Sequence, residues 1–160
     1  MGIWGSSEGH VEATPAAVLA AITDPAGLPR WNRRIVRVVE QPAVLEPRAE
    51  WVVQMRIYGQ KFLSRSRVLQ LDPRAGHFQY RSSPDGDPDF GVWTWDVSPE
   101  GTGARVRVLW DLNPKLFMNR MFWVRLRVRG LPKEVRESLT ALDRYLDEGR
   151  RAAATSALSA

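Results

Sequence analysis

The sequence predicts an α+β domain: a strand, two short helices, a run of antiparallel strands, and a long C-terminal helix covering the sheet. Three observations carry this. Between Glu50 and Leu112 apolar and polar residues alternate at the period of half-buried strands, with turn residues between the runs. Thr14-Pro15, just ahead of Val18, Leu19 and Ile22, is a helix start. After Pro114 the period changes, and Val135, Leu139, Leu142 and Leu146 recur at spacings of three and four. A sheet with one apolar face needs a cover, and this last stripe supplies it.

Taken in order, residues 1–7 read as a tail and Gly9 to Thr14 as the opening strand. Thr14 caps a short helix that begins at Pro15 and ends near Asp24-Pro25; Ala26 to Asn32 adds a helical turn carrying Leu28 and Trp31. Ile35 to Glu40 is a strand, and Gln41 to Arg48 a polar, proline-containing connection. Glu50 to Tyr58 and Lys61 to Leu71 form a hairpin across a two-residue Gly59-Gln60 turn. That register puts Trp51, Val53, Met55, Ile57, Phe62, Ser64, Ser66 and Val68 on one face, the core face by composition. Val52, Gln54, Arg56, Leu63, Arg65 and Arg67 share the other. A bulge or a longer turn would reverse the assignment.

Asp72 to Gly76 leads into the strand His77 to Ser82, and Ser83 to Asp89 is a polar loop. Phe90 to Val97 and Ala104 to Leu112 are the last strands, connected through Ser98 to Gly103. Lys115 to Arg129 and Pro132 to Glu148 read as helices separated by Gly130-Leu131-Pro132, with Gly149 as the stop. Residues 150–160 form a frayed tail, so the domain proper spans 8–149.

Composition narrows the chemistry. A chain of 160 residues is expected to form one domain. With no cysteine, disulfides and thiolate metal sites are excluded. His10 and His77 are far apart and in unlike elements, and neither a Ser-His-Asp motif nor a Gly-rich phosphate loop is present. No metal and no cofactor are therefore expected. No apolar run approaches the roughly 20 residues that span a bilayer. Met1 to His10 lacks the regions of a secretory signal, which makes a cytoplasmic location the expectation.

The net charge of +5 has a local source. Lys115, Arg120, Arg125, Arg127 and Arg129 lie in one segment without an acidic residue, so nucleic acid is not the expected partner. The segment also carries Leu116, Phe117, Met118, Met121, Phe122, Trp123, Leu126 and Val128. It reads as a helix that buries one face while its arginines snorkel; the same pattern suits peripheral contact with an anionic membrane through residues 115–129.

Trp93-Thr94-Trp95 is the run that points to a site. Side chains on a strand alternate faces, so both indoles lie on one side. On the next strand Val106, Val108 and Trp110 share a face, with Arg105 and Arg107 opposite. Three indoles facing one interior suit the wall of a wide apolar cavity. Trp31 fits either the end of the core or the cavity mouth, and Trp51 reads as core.

These elements resemble the START-like (SRPBCC) superfamily, the helix-grip fold of the birch pollen allergen and the polyketide cyclase/dehydrase-like proteins. The residues that carry the resemblance are Ala13-Thr14-Pro15-Ala16-Ala17-Val18, Asp24-Pro25, Trp31-Asn32, Val68 with Leu71-Asp72-Pro73, Trp93-Thr94-Trp95, and Gly103 before the last strand. The resemblance implies a strongly curved antiparallel sheet of about six to seven strands gripping the C-terminal helix, with an apolar cavity between. It implies lipids, sterols, hormones or polyketides as ligands, and in some members aromatase or cyclase activity. The expected cavity residues are Trp31, Met55, Tyr80, Trp93, Trp95, Val108, Trp110, Phe117, Met121 and Leu139.

In polyketide aromatase/cyclases an arginine immediately before the valine of the equivalent strand lies inside the cavity. Arg67-Val68 resembles that pair, and Tyr80 falls near another pocket position, which makes Arg67 and Tyr80 the catalytic candidates. The hairpin register instead turns Arg67 to solvent, and both readings stand. Three functions follow: binding of a hydrophobic or aromatic, lipid- or polyketide-like molecule; a cyclase, aromatase or dehydratase working without metal or cofactor; or a protein-interaction or toxin-like role through the basic face.

Overall fold

The computed structural model describes residues 2–115 and 124–160. Strands β1 (Ile3–Val11), β2 (Ile35–Glu40), β3 (Glu50–Ile57), β4 (Gln60–Asp72), β5 (His77–Pro84), β6 (Phe90–Glu100) and β7 (Gly103–Asn113) form one curved antiparallel sheet in the order β1-β7-β6-β5-β4-β3-β2. Between β1 and β2 lie α1 (Pro15–Ile22), a 3₁₀ turn (Pro25–Gly27) and α2 (Leu28–Trp31); α3 (Val124–Leu158) follows β7. Thr14 caps α1, its Oγ1 accepting the Ala17 N–H at 3.2 Å.

Residues 3–7 are not a tail. β1 pairs with β7 at nine consecutive positions, from Ile3 opposite Leu112 to Val11 opposite Ala104. The strand is faint in the sequence because its inward positions include Gly5, Ser7 and Gly9, small residues where an apolar signal would stand. Their smallness is needed. A Cβ on Gly5 would lie 2.7 Å from the Trp110 ring, and one on Gly9 would lie 3.0 Å from Leu139 Cδ1. Ser7 Oγ donates to the Pro132 carbonyl at 3.4 Å. β1 is thus the seat on which α3 and Trp110 rest.

Helix α3 runs unbroken through Gly130-Leu131-Pro132 and Gly149, where the sequence predicts a break and a stop. Pro132 costs the Val128 carbonyl its intrahelical donor. Burial offsets that loss: Leu131, Val135, Leu139 and Leu142 are all buried along one stripe. Beyond Gly149 the helix is sustained by alanines, the best helix formers, and by Asp147 paired with Arg150 at 3.2 Å and Arg151 at 3.1 Å. Residues 150–158 are therefore helical.

The β3–β4 turn is Tyr58-Gly59, with Ile57 opposite Gln60, rather than Gly59-Gln60. Both turn residues have positive φ (50° and 79°), as a type I′ turn requires. Each pairing consequently differs by two residues from the expected one; Trp51 faces Ser66, not Val68. An even shift keeps every side chain on its expected face. Three register shifts interrupt the ladders: β4 against β5 between Val68 and Gln70, and β2 against β3 between Ile35 and Arg37 and between Val38 and Glu40. The extra residues, Leu69, Val36 and Val39, are exposed, while Val68, Leu71, Ile35 and Val38 pack on the core.

The seat of α3 is testable. Gly5→Ala should cost about 1–3 kcal/mol in urea unfolding, because the rigid Trp110 ring must shift. The double variant Gly5→Ala/Trp110→Leu should lose less than the sum of its two single changes; strict additivity would mean that the two sites do not touch.

Candidate functional site

Helix α3 packs chiefly against β1 and the short helices, so it occupies only one side of the space the sheet encloses. Where α1 crosses β6 and β7 the interior is solid, filled by Val11, Val18, Val97, Val106 and Leu142. Towards the β3–β4 turn, the β5–β6 loop and the end of β7, the sheet stands away from α3 and leaves a cavity of about 260 Å³.

Met55, Tyr80, Trp93 and Trp95 line this cavity, each from an inward strand position. Four other expected lining residues pack in the core beside it. Trp31 stands edge-on to Trp95, with ring centroids 5.9 Å apart and planes at 79°. Trp110 lies over Gly5 and beside Trp93, centroids 6.2 Å apart. Val108 is fully buried, and Leu139 covers Gly9. All four face inward as expected, but α3 and β1 close over that half of the interior. Phe117 and Met121 lie outside the described residues, as do all of residues 116–123 of the basic segment 115–129, Arg120 among them.

Arg67 is on the outer face. Its side chain is 57% exposed, and its Nε lies 3.5 Å from Glu50 Oε1. The parity of β4 causes this: Ser64, Ser66 and Val68 point inward, and the bulge that reverses the alternation comes after Val68. Arg67 therefore cannot touch a molecule in the cavity.

Tyr80 pairs across the sheet with Val68 and Trp93 and packs against Trp51 and Phe78, each centroid 5.2 Å away. Burial pushes its hydroxyl up to about 12, an effect that proximity to Trp95 only partly offsets. The Trp95 Nε1–H completes no hydrogen bond, so the contact is a loose one. A phenol held neutral can donate to a ligand oxygen but cannot act as a base near neutrality.

Sequence reasoning placed Ser64 and Ser66 on the inner face without assigning them to the site. They are the two buried polar residues among those described, and both line the cavity beside Ser82. Ser64 Oγ lies 2.8 Å from Ser82 Oγ and donates to the Ser83 carbonyl at 3.3 Å, so it accepts the Ser82 proton. Serine on the apolar side of a hairpin was the available signal. Also missed was a charged group at the mouth. Glu134 of α3 forms an ion pair with Arg34, which precedes β2, at 2.9 Å, and Arg127 of α3 stands 3.5 Å from its second oxygen.

The two histidines take no part. His10 sits between Glu12 (2.6 Å) and Glu100 (2.9 Å), and His77 bonds Asp96 at 2.7 Å; neither lines the cavity. The carboxylates around His10, Glu100 foremost, hold its imidazole above the usual value. Among the described residues no group of three or more acidic or histidine side chains is placed to hold a metal ion. Nor is any described helix long and apolar enough to cross a membrane.

Comparison with known proteins agrees with this architecture. A family model for "Polyketide cyclase / dehydrase and lipid transport" matches residues 6–147. The Zhui aromatase/cyclase from Streptomyces sp. R1128 superposes with a TM-score of 0.77 at 14% identity, covering 96% of this chain and 98% of that one. Ara h 8.0201 does so at 0.69 and 15%, covering 92% and 99%. The di-domain ARO/CYC BexL from the BE-7585A biosynthetic pathway does so at 0.70 and 21%, covering 91% of this chain and 46% of that one. At such identities the likeness shows the fold alone. No curated protein matches the sequence.

The burial of Tyr80 has a measurable signature. In an alkaline titration followed by phenolate absorbance, the difference between wild type and Tyr80→Phe should be one transition near 12. The native state keeps this proton after the unfolded chain has lost its own, so the corresponding stability is complete below about pH 10 and falls as pH rises towards 12. A difference transition near 10 would mean that the phenol is solvated.

Proposed function

Because this chain belongs to the polyketide cyclase/dehydrase and lipid-transport family, we propose that it binds a small, oxygen-bearing aromatic molecule between the sheet and α3. The observation that carries the reading is the open, mainly apolar cavity with Tyr80, Trp93 and Trp95 in its wall. Its volume, about 260 Å³, is near the lower end of ligand pockets, which begin at about 300 Å³. Such a space suits one or two fused rings better than a long acyl chain. Aromatic side chains favour aromatic guests through offset and edge contacts. The hydroxyls of Ser66 and Tyr80 supply donors along one wall, and a guest without oxygen atoms would leave them unmatched; the Ser64 and Ser82 protons are already used within the wall.

A second reading, cyclase or dehydratase chemistry, draws on Tyr80. A neutral phenol on the wall can hydrogen-bond a ligand carbonyl and favour its enol form. Zhui and BexL carry aromatase/cyclase names, which fits this reading without extending to the reaction. Arg67, ion-paired on the outer face, has no part in it.

Binding is tested with 2-naphthamide, a neutral two-ring amide, followed by calorimetry and tryptophan fluorescence. Wild type should bind one equivalent with quenching. Trp93→Ala should weaken binding about two- to tenfold, the value of a lost aromatic contact, while Arg67→Ala leaves it unchanged. Absence of saturable binding, or indifference to Trp93→Ala, would sink the proposal.

A further inference from the structure

We propose that the cavity selects ligands carrying a carboxylate, and that Arg34 and Arg127 at its mouth hold that anionic group. The inference rests on the ligand-binding reading above and adds the charge of the ligand's end group.

Three charged side chains meet in the cavity wall from different parts of the chain. Arg34 leaves the α2–β2 connection, where its backbone N–H donates to Asn32 Oδ1 at 3.1 Å. Arg127 and Glu134 stand two turns apart on α3, on one face of the helix. Glu134 Oε1 forms an ion pair with Arg34 Nη2 at 2.9 Å, and Oε2 lies 3.5 Å from Arg127 Nη1. Two guanidiniums thus share one carboxylate, and the cluster keeps one unbalanced positive charge.

That surplus sits in a poor place for it. Glu134 and Arg127 are 13% and 21% exposed. Arg127 Nη1 is buried and completes no hydrogen bond among the described residues. Burial above all lowers the affinity of Arg127 for its proton; Glu134 opposes this more than Arg34 adds to it, and the guanidinium remains charged at neutral pH. A guanidinium presents a fixed fork of donors that matches a carboxylate. Removing a cation from water is costly unless a counter-charge arrives with it, and here the walls beyond the cluster are largely apolar. The other acid of the lining, Asp89, belongs to the β5–β6 loop and accepts the Lys115 backbone N–H at 2.5 Å. A ligand whose rings lie against Trp93 and whose carboxylate meets Arg34 and Arg127 would complete both the apolar and the charged halves of the site.

The test compares 2-naphthoate with 2-naphthamide, which share shape and differ in charge. Wild type should bind 2-naphthoate at least about tenfold more tightly, and added salt should shrink the preference. Arg34→Gln, at the more exposed member of the cluster, should weaken 2-naphthoate binding several-fold more than it weakens 2-naphthamide binding. Glu134→Gln, which removes the competing carboxylate, should enlarge the preference. If 2-naphthamide binds as tightly as 2-naphthoate to wild type, the end-group assignment fails and the cavity reading survives. If neither binds, both fall.

Discussion

The close seating of α3 on β1 is the constraint on which the rest of the molecule depends. Gly5, Ser7 and Gly9 present almost no bulk inward, so Leu139 and the Pro132 carbonyl approach the strand itself. That draws the helix towards one edge of the sheet. The sheet curves round from that edge, and its far strands face a space that one helix of ordinary diameter does not fill. Close packing at one edge and a void beside the other are thus one geometric fact. Interiors are normally packed to crystal-like density, so a void of this size needs a reason to persist. An intended guest is such a reason.

The void has an ordered chemistry. Its wall is aromatic where β5 and β6 cross it, hydroxylic along the inward face of β4, and charged where α3 meets the α2–β2 connection. Each zone comes from a different kind of element. The rings and hydroxyls are set by strand alternation and held rigid by the ladder on both sides. The charged group depends on a helix and a loop meeting across the mouth, which makes it the part most able to adjust when something enters. The division suits a site whose wall reads shape and whose mouth reads charge.

What the sequence disclosed follows the same lines. The Thr14-Pro15 cap, the inward stripe of α3 and the two faces of the β3–β4 hairpin rest on neighbours in the chain, and they were legible; an error of one residue in the turn did no harm because it moved the partners by an even number. The first part of β1 was hidden because Gly5 and Ser7, inward there, are small. α3 was read as two helices because Gly130 and Pro132 are breakers locally, and only the burial of Leu131 against other elements outweighs them. Met55, Tyr80, Trp93 and Trp95 were found from alternation. Trp31, Val108, Trp110 and Leu139 also face inward, but whether an inward residue meets a helix or a void is decided by where α3 lies, which no local pattern records. The cluster of Arg34, Arg127 and Glu134 was missed for that reason too, and Arg127 in particular had been read as part of a basic outer surface.

The irregular ladder of β2 has an effect beyond the curvature of the sheet. β2 is the outermost strand beyond β3, and such an edge offers unpaired backbone groups to any passing extended chain. Two interruptions within six residues throw those groups out of step. Another chain could not add to that edge with a continuous ladder, even though Val36 and Val39 stand exposed there. The irregularity therefore guards a valine-rich strand against self-association and amyloid-like growth without a charged gatekeeper at either of those positions.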